Sequence, residues 1–293
     1  MAYQRGFSAD IEFYPESSYG GGLYDPASAD TMNRISDAVT SITLTDNNNA
    51  EVIFSIGDVA GAATLSKQKE YTLRVEYILQ DTSDNLLKYG INRNSDNDLD
   101  SLVFLIQYDN QWYECKGGIC NTVEVTADVG EALKITQEFY CNEVSVSSTD
   151  PLSSLSNLSH SSALGTTFAK YSGATIKRAG STIGYGTRSF SLTVNNNAER
   201  VHAVGADTAN AITAGKIDIS GTIDVYIEQG AATEWGWVDN ATAASINIDT
   251  GLTNVGTIYL TNATFTTIDL PMNNTDAIVV VGMPFIAEDI AIT

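Results

Sequence analysis

Ser41-Ile-Thr-Leu-Thr-Asp-Asn-Asn-Asn-Ala-Glu-Val-Ile-Phe-Ser-Ile-Gly57 aligns without a gap on Ser189-Phe-Ser-Leu-Thr-Val-Asn-Asn-Asn-Ala-Glu-Arg-Val-His-Ala-Val-Gly205, 148 residues further on. Nine of these 17 positions are identical, where chance gives about one. Apolar and polar residues alternate on both sides of the Asn triplets, as in a β-hairpin. Asn47-Asn48-Asn49 and Asn195-Asn196-Asn197 are then the turns, because Asn tolerates the left-handed backbone that tight turns require.

Working outward, and after a small insertion, Tyr71-Thr-Leu-Arg-Val-Glu-Tyr77 matches Gly221-Thr-Ile-Asp-Val-Tyr-Ile227, setting Leu73 with Ile223 and Val75 with Val225. Val123-Glu-Val125 resembles Ile268-Asp-Leu270, and the strand of Leu133, Ile135 and Phe139 resembles that of Ile278, Val280 and Phe285. The chain thus reads as an N-terminal arm (1–32), a first copy (33–146), a Ser-rich linker containing Pro151 (147–173) and a second copy (174–293). Each copy has six or seven short strands and room for one helix. The first helix is expected near Ser83 to Tyr89, capped by Asp81, Thr82 or Ser83, with Leu86 and Leu87 facing the sheet. Its counterpart is expected near Ala231 to Ala241, with Trp235 and Trp237 supplying apolar surface. The fold class is mostly β: two tandem sandwich or barrel domains, each with one short flanking helix.

The composition narrows the function. A 293-residue chain that is 43% hydrophobic can fill two cores. A formal net charge of −21 argues against gripping nucleic acid or anionic lipid, since both need clustered Lys and Arg. It suits solubility, or a surface that must lie near DNA without adhering to it. Met1 to Arg5 contains no apolar export segment, and no stretch is long enough to span a membrane, so a soluble, cytoplasmically made protein is expected. Cys115, Cys120 and Cys141 are too few for a disulfide framework. Cys115 and Cys120 flank an expected hairpin turn at Lys116 to Ile119; free thiols in strands are favoured over a pair.

No catalytic, cofactor-binding or metal site is expected. Asp96, Asp98 and Asp100 alternate as Ca²⁺-loop carboxylates do, but Ser101 and Gln107 stand where an EF-hand has Gly and Glu. A solvated acidic loop is the favoured reading. His160 lies in the linker, and His202 occupies the position of Phe54 as a strand side chain; neither suggests a triad or a zinc site. Gly20-Gly21-Gly22 lacks the strand and helix of a phosphate loop. Trp112-Tyr113, Trp235 and Trp237 are read as core or interface residues before sugar-stacking platforms. The sequons at Asn157, Asn240, Asn262 and Asn273 matter only to a secreted protein.

The run from Tyr171 to Gly205, with Ile183-Gly184, Ser189-Phe-Ser-Leu-Thr193 and the Asn triplet, followed by Ile217-Asp-Ile-Ser-Gly-Thr-Ile-Asp-Val-Tyr226, resembles the tail tube proteins of long-tailed, siphovirus-like viruses of bacteria and archaea. Ile135-Thr-Gln-Glu-Phe139 onward to Val144 is similar to the strand that closes such domains. The resemblance implies a non-enzymatic virion protein, assembled in the host cytoplasm into stacked rings around a channel for DNA. About four strands from each domain would enter a continuous barrel. Two domains per chain imply homotrimeric rings of pseudo-sixfold symmetry. The implied partners are further copies of the chain, the tail terminator, tape measure and distal tail proteins, and DNA in transit, with no membrane partner. An adhesin or carbohydrate-binding β-sandwich pair is the alternative.

Overall fold

The computed structural model describes residues 10–53, 63–65, 68–164, 167–183, 186–228, 232–269 and 278–293. The chain opens with β1 (Asp10–Pro15), β2 (Asp30–Thr31) and β3 (Asn33–Arg34). Next come β4 (Val39–Asn47), β5 (Glu51–Ile53), β6 (Ala63–Leu65), β7 (Glu70–Ile78), α1 (Leu86–Ile91), β8 (Leu102–Tyr108), β9 (Gln111–Asp128), β10 (Lys134–Cys141) and β11 (Glu143–Ser147). A 3₁₀ turn (Pro151–Ser154) and β12 (Leu158–Ser159) follow, and a second 3₁₀ turn spans Tyr171–Gly173. The second half holds β13 (Thr175–Arg178), β14 (Ser181–Thr182), β15 (Gly186–Asn195), β16 (Glu199–Val201), β17 (Ala211–Thr213) and β18 (Asp218–Glu228). It ends with α2 (Ala232–Asp239), β19 (Ala244–Asp249), β20 (Thr257–Phe265), β21 (Ile278–Ala287) and β22 (Asp289–Ile292).

The duplication is visible strand by strand. β4 pairs with β7 and β15 with β18, in registers that superimpose at 148 residues: Leu44 opposes Leu73, and Leu192 opposes Gly221. Even the bulges repeat, between Val39 and Ser41 and between Thr187 and Ser189. Outside the parallel pair β2·β12, each described strand of one half has a counterpart in the other. β1 belongs to this pattern, since it pairs with β8 and β3 as β13 pairs with β19 and β14. Residues 10–15 of the expected arm therefore sit in the sheet.

Both halves share one antiparallel sheet, β20-β21-β18-β15-β9-β10-β7-β4, in which β15 of the second half pairs along β9 of the first. One face is apolar by strict alternation: Leu73, Val75 and Tyr77 on β7, Ile135 and Phe139 on β10, Leu192 and Val194 on β15 are all buried. Smaller sheets cover this face, β3-β1-β8-β9-β11 over the first half and β14-β13-β19-β20-β22 over the second. The Phe104 and Phe139 rings meet across the first sandwich, 4.7 Å apart. In the second, Phe285 fills the room that Leu73 takes in the first: a Cβ on Gly221 would stand 2.5 Å from its ring. Gln137 is fully buried yet satisfied, accepting from Tyr77 Oη at 2.7 Å and donating to Leu86 O at 3.2 Å.

Several expectations change. The register pairs Leu73 with Gly221 and Val75 with Ile223, two residues from the sequence alignment and without an insertion. A two-residue slip keeps every side chain on its face, so alternation cannot detect it. The Asn triplets are not hairpin turns, because β4 pairs with β7 and β5 with β6. They are corners at which the chain leaves the sheet. Asn49 and Asn197 do adopt φ of +45° and +48°, and Asn47 and Asn195 accept from their amides at 3.1 and 2.9 Å. The stretch around Lys116 to Ile119 is no turn either: β9 runs unbroken through it, with Gly117 at φ +62° where the strand passes from the small sheet to the shared one. α1 starts later than expected and is capped by Asn85, whose side chain accepts from Lys88 N. His202 lies just past the end of β16.

Phe139→Ala should lower unfolding stability by about 3–5 kcal/mol, read from the urea midpoint, because Phe139 is fully buried between the two sheets. A cost below about 1 kcal/mol would show that the first sandwich is not packed as described.

Candidate assembly edge and sheet face

The residues singled out for chemistry do not converge. Among the described residues, no group of three or more His, Cys, Asp or Glu is placed to hold a metal ion. Asp96, Asp98 and Asp100 surround Asn94, whose Oδ1 accepts from the amides of Asp96 and Asp98 and whose Nδ2 donates to Asp100 Oδ1 at 3.1 Å. The loop is thus folded on its own hydrogen bonds. Cys115, Cys120 and Cys141 are free and buried. Burial pushes the Cys120 thiol up to about 12, and a hydrogen bond with Cys115 together with burial holds Cys141 protonated too, so neither offers a thiolate. Trp237 stacks on Phe265 at 6.0 Å beneath the Arg178 guanidinium, whereas Trp235 is exposed.

Sequence reasoning missed the surroundings of His160. Its Nδ1 lies 2.6 Å from Glu12 Oε2 and its Nε2 3.0 Å from Asp150 Oδ2, and its ring stacks on Trp112 at 5.1 Å. Ser161 N donates to the other Glu12 oxygen at 2.7 Å. The Ser-rich linker is therefore docked, with Leu152 and Leu158 buried against Tyr14, Val103 and Leu105. No local motif signals this, because Glu12 lies 148 residues from His160.

What the fold does set out is an edge and a face. β4 ends the shared sheet, and among the described residues nothing pairs with its outer side. Its counterpart β15 is paired on that side: Leu192 opposes Val125, Val194 opposes Val123, and Asn196 N donates to Asn121 O at 2.8 Å. Asn196 seals that junction, its Nδ2 donating to Gly90 O at 2.9 Å and Cys120 O at 3.2 Å. By the same parity, the amides of Leu44 and Asp46 point away from β7, toward the open edge.

The face opposite the core is mostly polar, with Tyr140, Tyr226, Val280, Pro284 and Ile286 as its apolar members. Thr43, Thr72, Thr122, Thr126, Thr136, Ser191, Thr193, Ser220 and Thr222 lie on it, all partly or fully exposed. So do Glu76, Glu124, Asp128, Glu138 and Asp224, set against Arg74 and Lys134. Arg74 sits near Glu76 and Glu124, at 3.4 and 3.9 Å. The face is net negative, and its Ser and Thr hydroxyls carry no charge with which to hold an anion.

The described residues thus form a repeated antiparallel sheet with an open edge at β4 and an acidic face. The family model for phage tail tube proteins matches residues 7–287, nearly the whole chain, and the protein belongs to that family. It is a structural component of a virus tail. A comparison with curated proteins finds no match.

Both ring nitrogens of His160 face carboxylate oxygens, so only the imidazolium donates to both. Burial pulls its pKa down, and hydrogen bonds to Glu12 and Asp150 more than reverse this, leaving it above the ordinary value. A raised folded pKa gives stability that is complete below about pH 6.5 and is lost as pH rises through the folded value. His160→Gln should therefore lower the melting temperature most near pH 6 and progressively less toward about pH 9. An equal deficit at every pH would contradict the charged pairing.

Proposed function

We propose that the chain polymerises as stacked rings whose shared sheets close into one barrel, with the acidic face lining a channel for DNA. The observation that carries this reading is the junction β15·β9. One chain already contains a copy-to-copy seam, and β4 offers the half of a second one. A sheet edge as long as β4, left open, invites aggregation, and ring closure removes it.

The repeat gives the register of the missing seam. Asn195 opposes Thr122 within the chain. The bulged pairings of β8 with β9 and β19 with β20 set Cys115 against Leu260, so the counterpart of Thr122 is Thr267. Asn47 of one chain then opposes Thr267 of the next, and the contact is head-to-tail. Two copies per chain make three chains the pseudo-sixfold ring. The division into 33–146 and 174–293 belongs to this proposal, with β1 added to the first copy as the partner of β8 and β3. A face of like sign to DNA lets the genome pass without binding. Assembly in the host cytoplasm, with terminator, tape measure and distal tail proteins at the tube's ends and interior, follows from the same reading.

Negative-stain images of the purified protein should show rings or tubes about 100 Å across, the width expected of a barrel of some two dozen strands. Dispersed monomers at every concentration and salt would contradict the proposal. N47C/T267C should form an interchain disulfide in those tubes, giving a non-reducing ladder that ends at a closed trimer. Asn195 and Thr122 face each other as a non-hydrogen-bonded pair, the closer of the two antiparallel spacings. Tubes without that cross-link would overturn the register.

A further inference from the structure

Within the chain, the second copy covers a rim of the first. The hairpin β16–β17 lies across the ends of β7 and β10, with Ala198, Ala209 and Ile212 buried. The Arg200 guanidinium stands 3.8 Å from the Tyr140 ring centroid and donates to Tyr71 O at 2.9 Å and Thr72 Oγ1 at 3.0 Å. This contact joins a cation, an aromatic ring and two polar acceptors.

Sheet register identifies the same rim on the second copy. Tyr140 lies between Thr72 and Ile119, and Ile286 lies between Ser220 and Thr264. Ile286 is therefore the counterpart of Tyr140. It is 55% exposed, an aliphatic side chain set between Ser220 and Thr264. The hairpin β5–β6 repeats β16–β17 pair for pair. Glu51 opposes Leu65 and Val52 opposes Thr64, as Glu199 opposes Thr213 and Arg200 opposes Ile212. The register position of Arg200 is thus held by Val52.

We propose that the hairpin β5–β6 of one chain docks on the Ile286 rim of the second copy in a neighbouring chain, an aliphatic contact in place of the cation–aromatic one inside the chain. The inference rests on the ring reading and goes beyond it, because it makes the two seams chemically different while their backbone registers match. Neither hairpin suits the other's rim. Arg200 on Ile286 would lose its aromatic ring, since Ser220 and the Ile219 carbonyl repeat only the two acceptors, and Val52 on Tyr140 would leave the Tyr71 carbonyl and the Thr72 hydroxyl without that donor. Mismatch of this kind is how like surfaces are kept from exchanging partners. It forces first and second copies to alternate around the ring, and keeps a neighbour's hairpin from displacing the chain's own.

The test compares tube formation by the full chain and its variants, at one protein concentration and with folding checked by melting temperature. Ile286→Asp should fold as the parent does, yet lose at least tenfold in pelletable tubes; Ile286→Ser, which matches its neighbours on this face, should weaken assembly in the same direction if the aspartate variant fails to fold. V52K/I286D should recover tubes, because a lysine from the neighbour then meets the aspartate. I286D tubes as abundant as the parent's, or a loss that V52K leaves unrepaired, would overturn the inference while the ring reading stands. A parent protein that forms no tubes would instead remove the ring reading, and this inference with it.

Discussion

The open side of β4 is the constraint around which the rest of the structure is arranged. A strand of nine residues at the end of an eight-strand sheet presents backbone donors and acceptors in a row, and its counterpart β15 shows what satisfies such a row. Backbone pairing supplies the geometry, and the buried alternation of Leu192 and Val194 against Val123 and Val125 supplies the apolar contact beneath it. The chain thus carries one completed copy-to-copy seam and, in β4, an edge of the same kind left open among the described residues. Its long sheet, its polar face and its rim hairpins make physical sense as parts of a closed, repeating object.

The second sheet of each sandwich serves the first. β9 bends at Gly117 so that one strand belongs to both layers, and β20 bridges the layers of the second half likewise. α1 adds a further tie: the Gly90 carbonyl receives Asn196 from the other copy, and a Cβ at Gly90 would stand within 2.6 Å of Gln137 and Val123. Gly236 holds the corresponding place in α2. The docked linker is fixed through Glu12, His160 and Asp150 on the small sheet, and further on Ala169 exchanges backbone hydrogen bonds with Leu79 and Leu133 at the ends of β7 and β10.

Much of this was legible in the sequence, and the limits have physical causes. The duplication could be read because nine identities fall in one ungapped stretch, and the β class because alternation is strict in β7 and β10. Left-handed Asn residues were read correctly, but a corner and a hairpin turn ask the same of an Asn, so the triplets were assigned the wrong partner strands. The register of β7 against β18 was misread by two residues because the side-chain period of a strand is itself two. β1 escaped notice because 17 residues separate it from its partner β3, whereas the equivalent β13 and β14 are neighbours. The His160 cluster was illegible for another reason: its members come from β1, β9 and the linker, and only the tertiary fold brings them together.

The central claim is that β4 and β15 are equivalent strands, one satisfied within the chain and the other by a neighbour. Hydrogen–deuterium exchange on dispersed and assembled protein tests it most directly, read on the amides of Leu44 and Asp46 beside those of Leu192 and Val194. The account predicts that Leu44 and Asp46 exchange fast in the dispersed chain and become as protected as Leu192 and Val194 on assembly. Assembled tubes in which the β4 amides still exchange at their dispersed rate would contradict it.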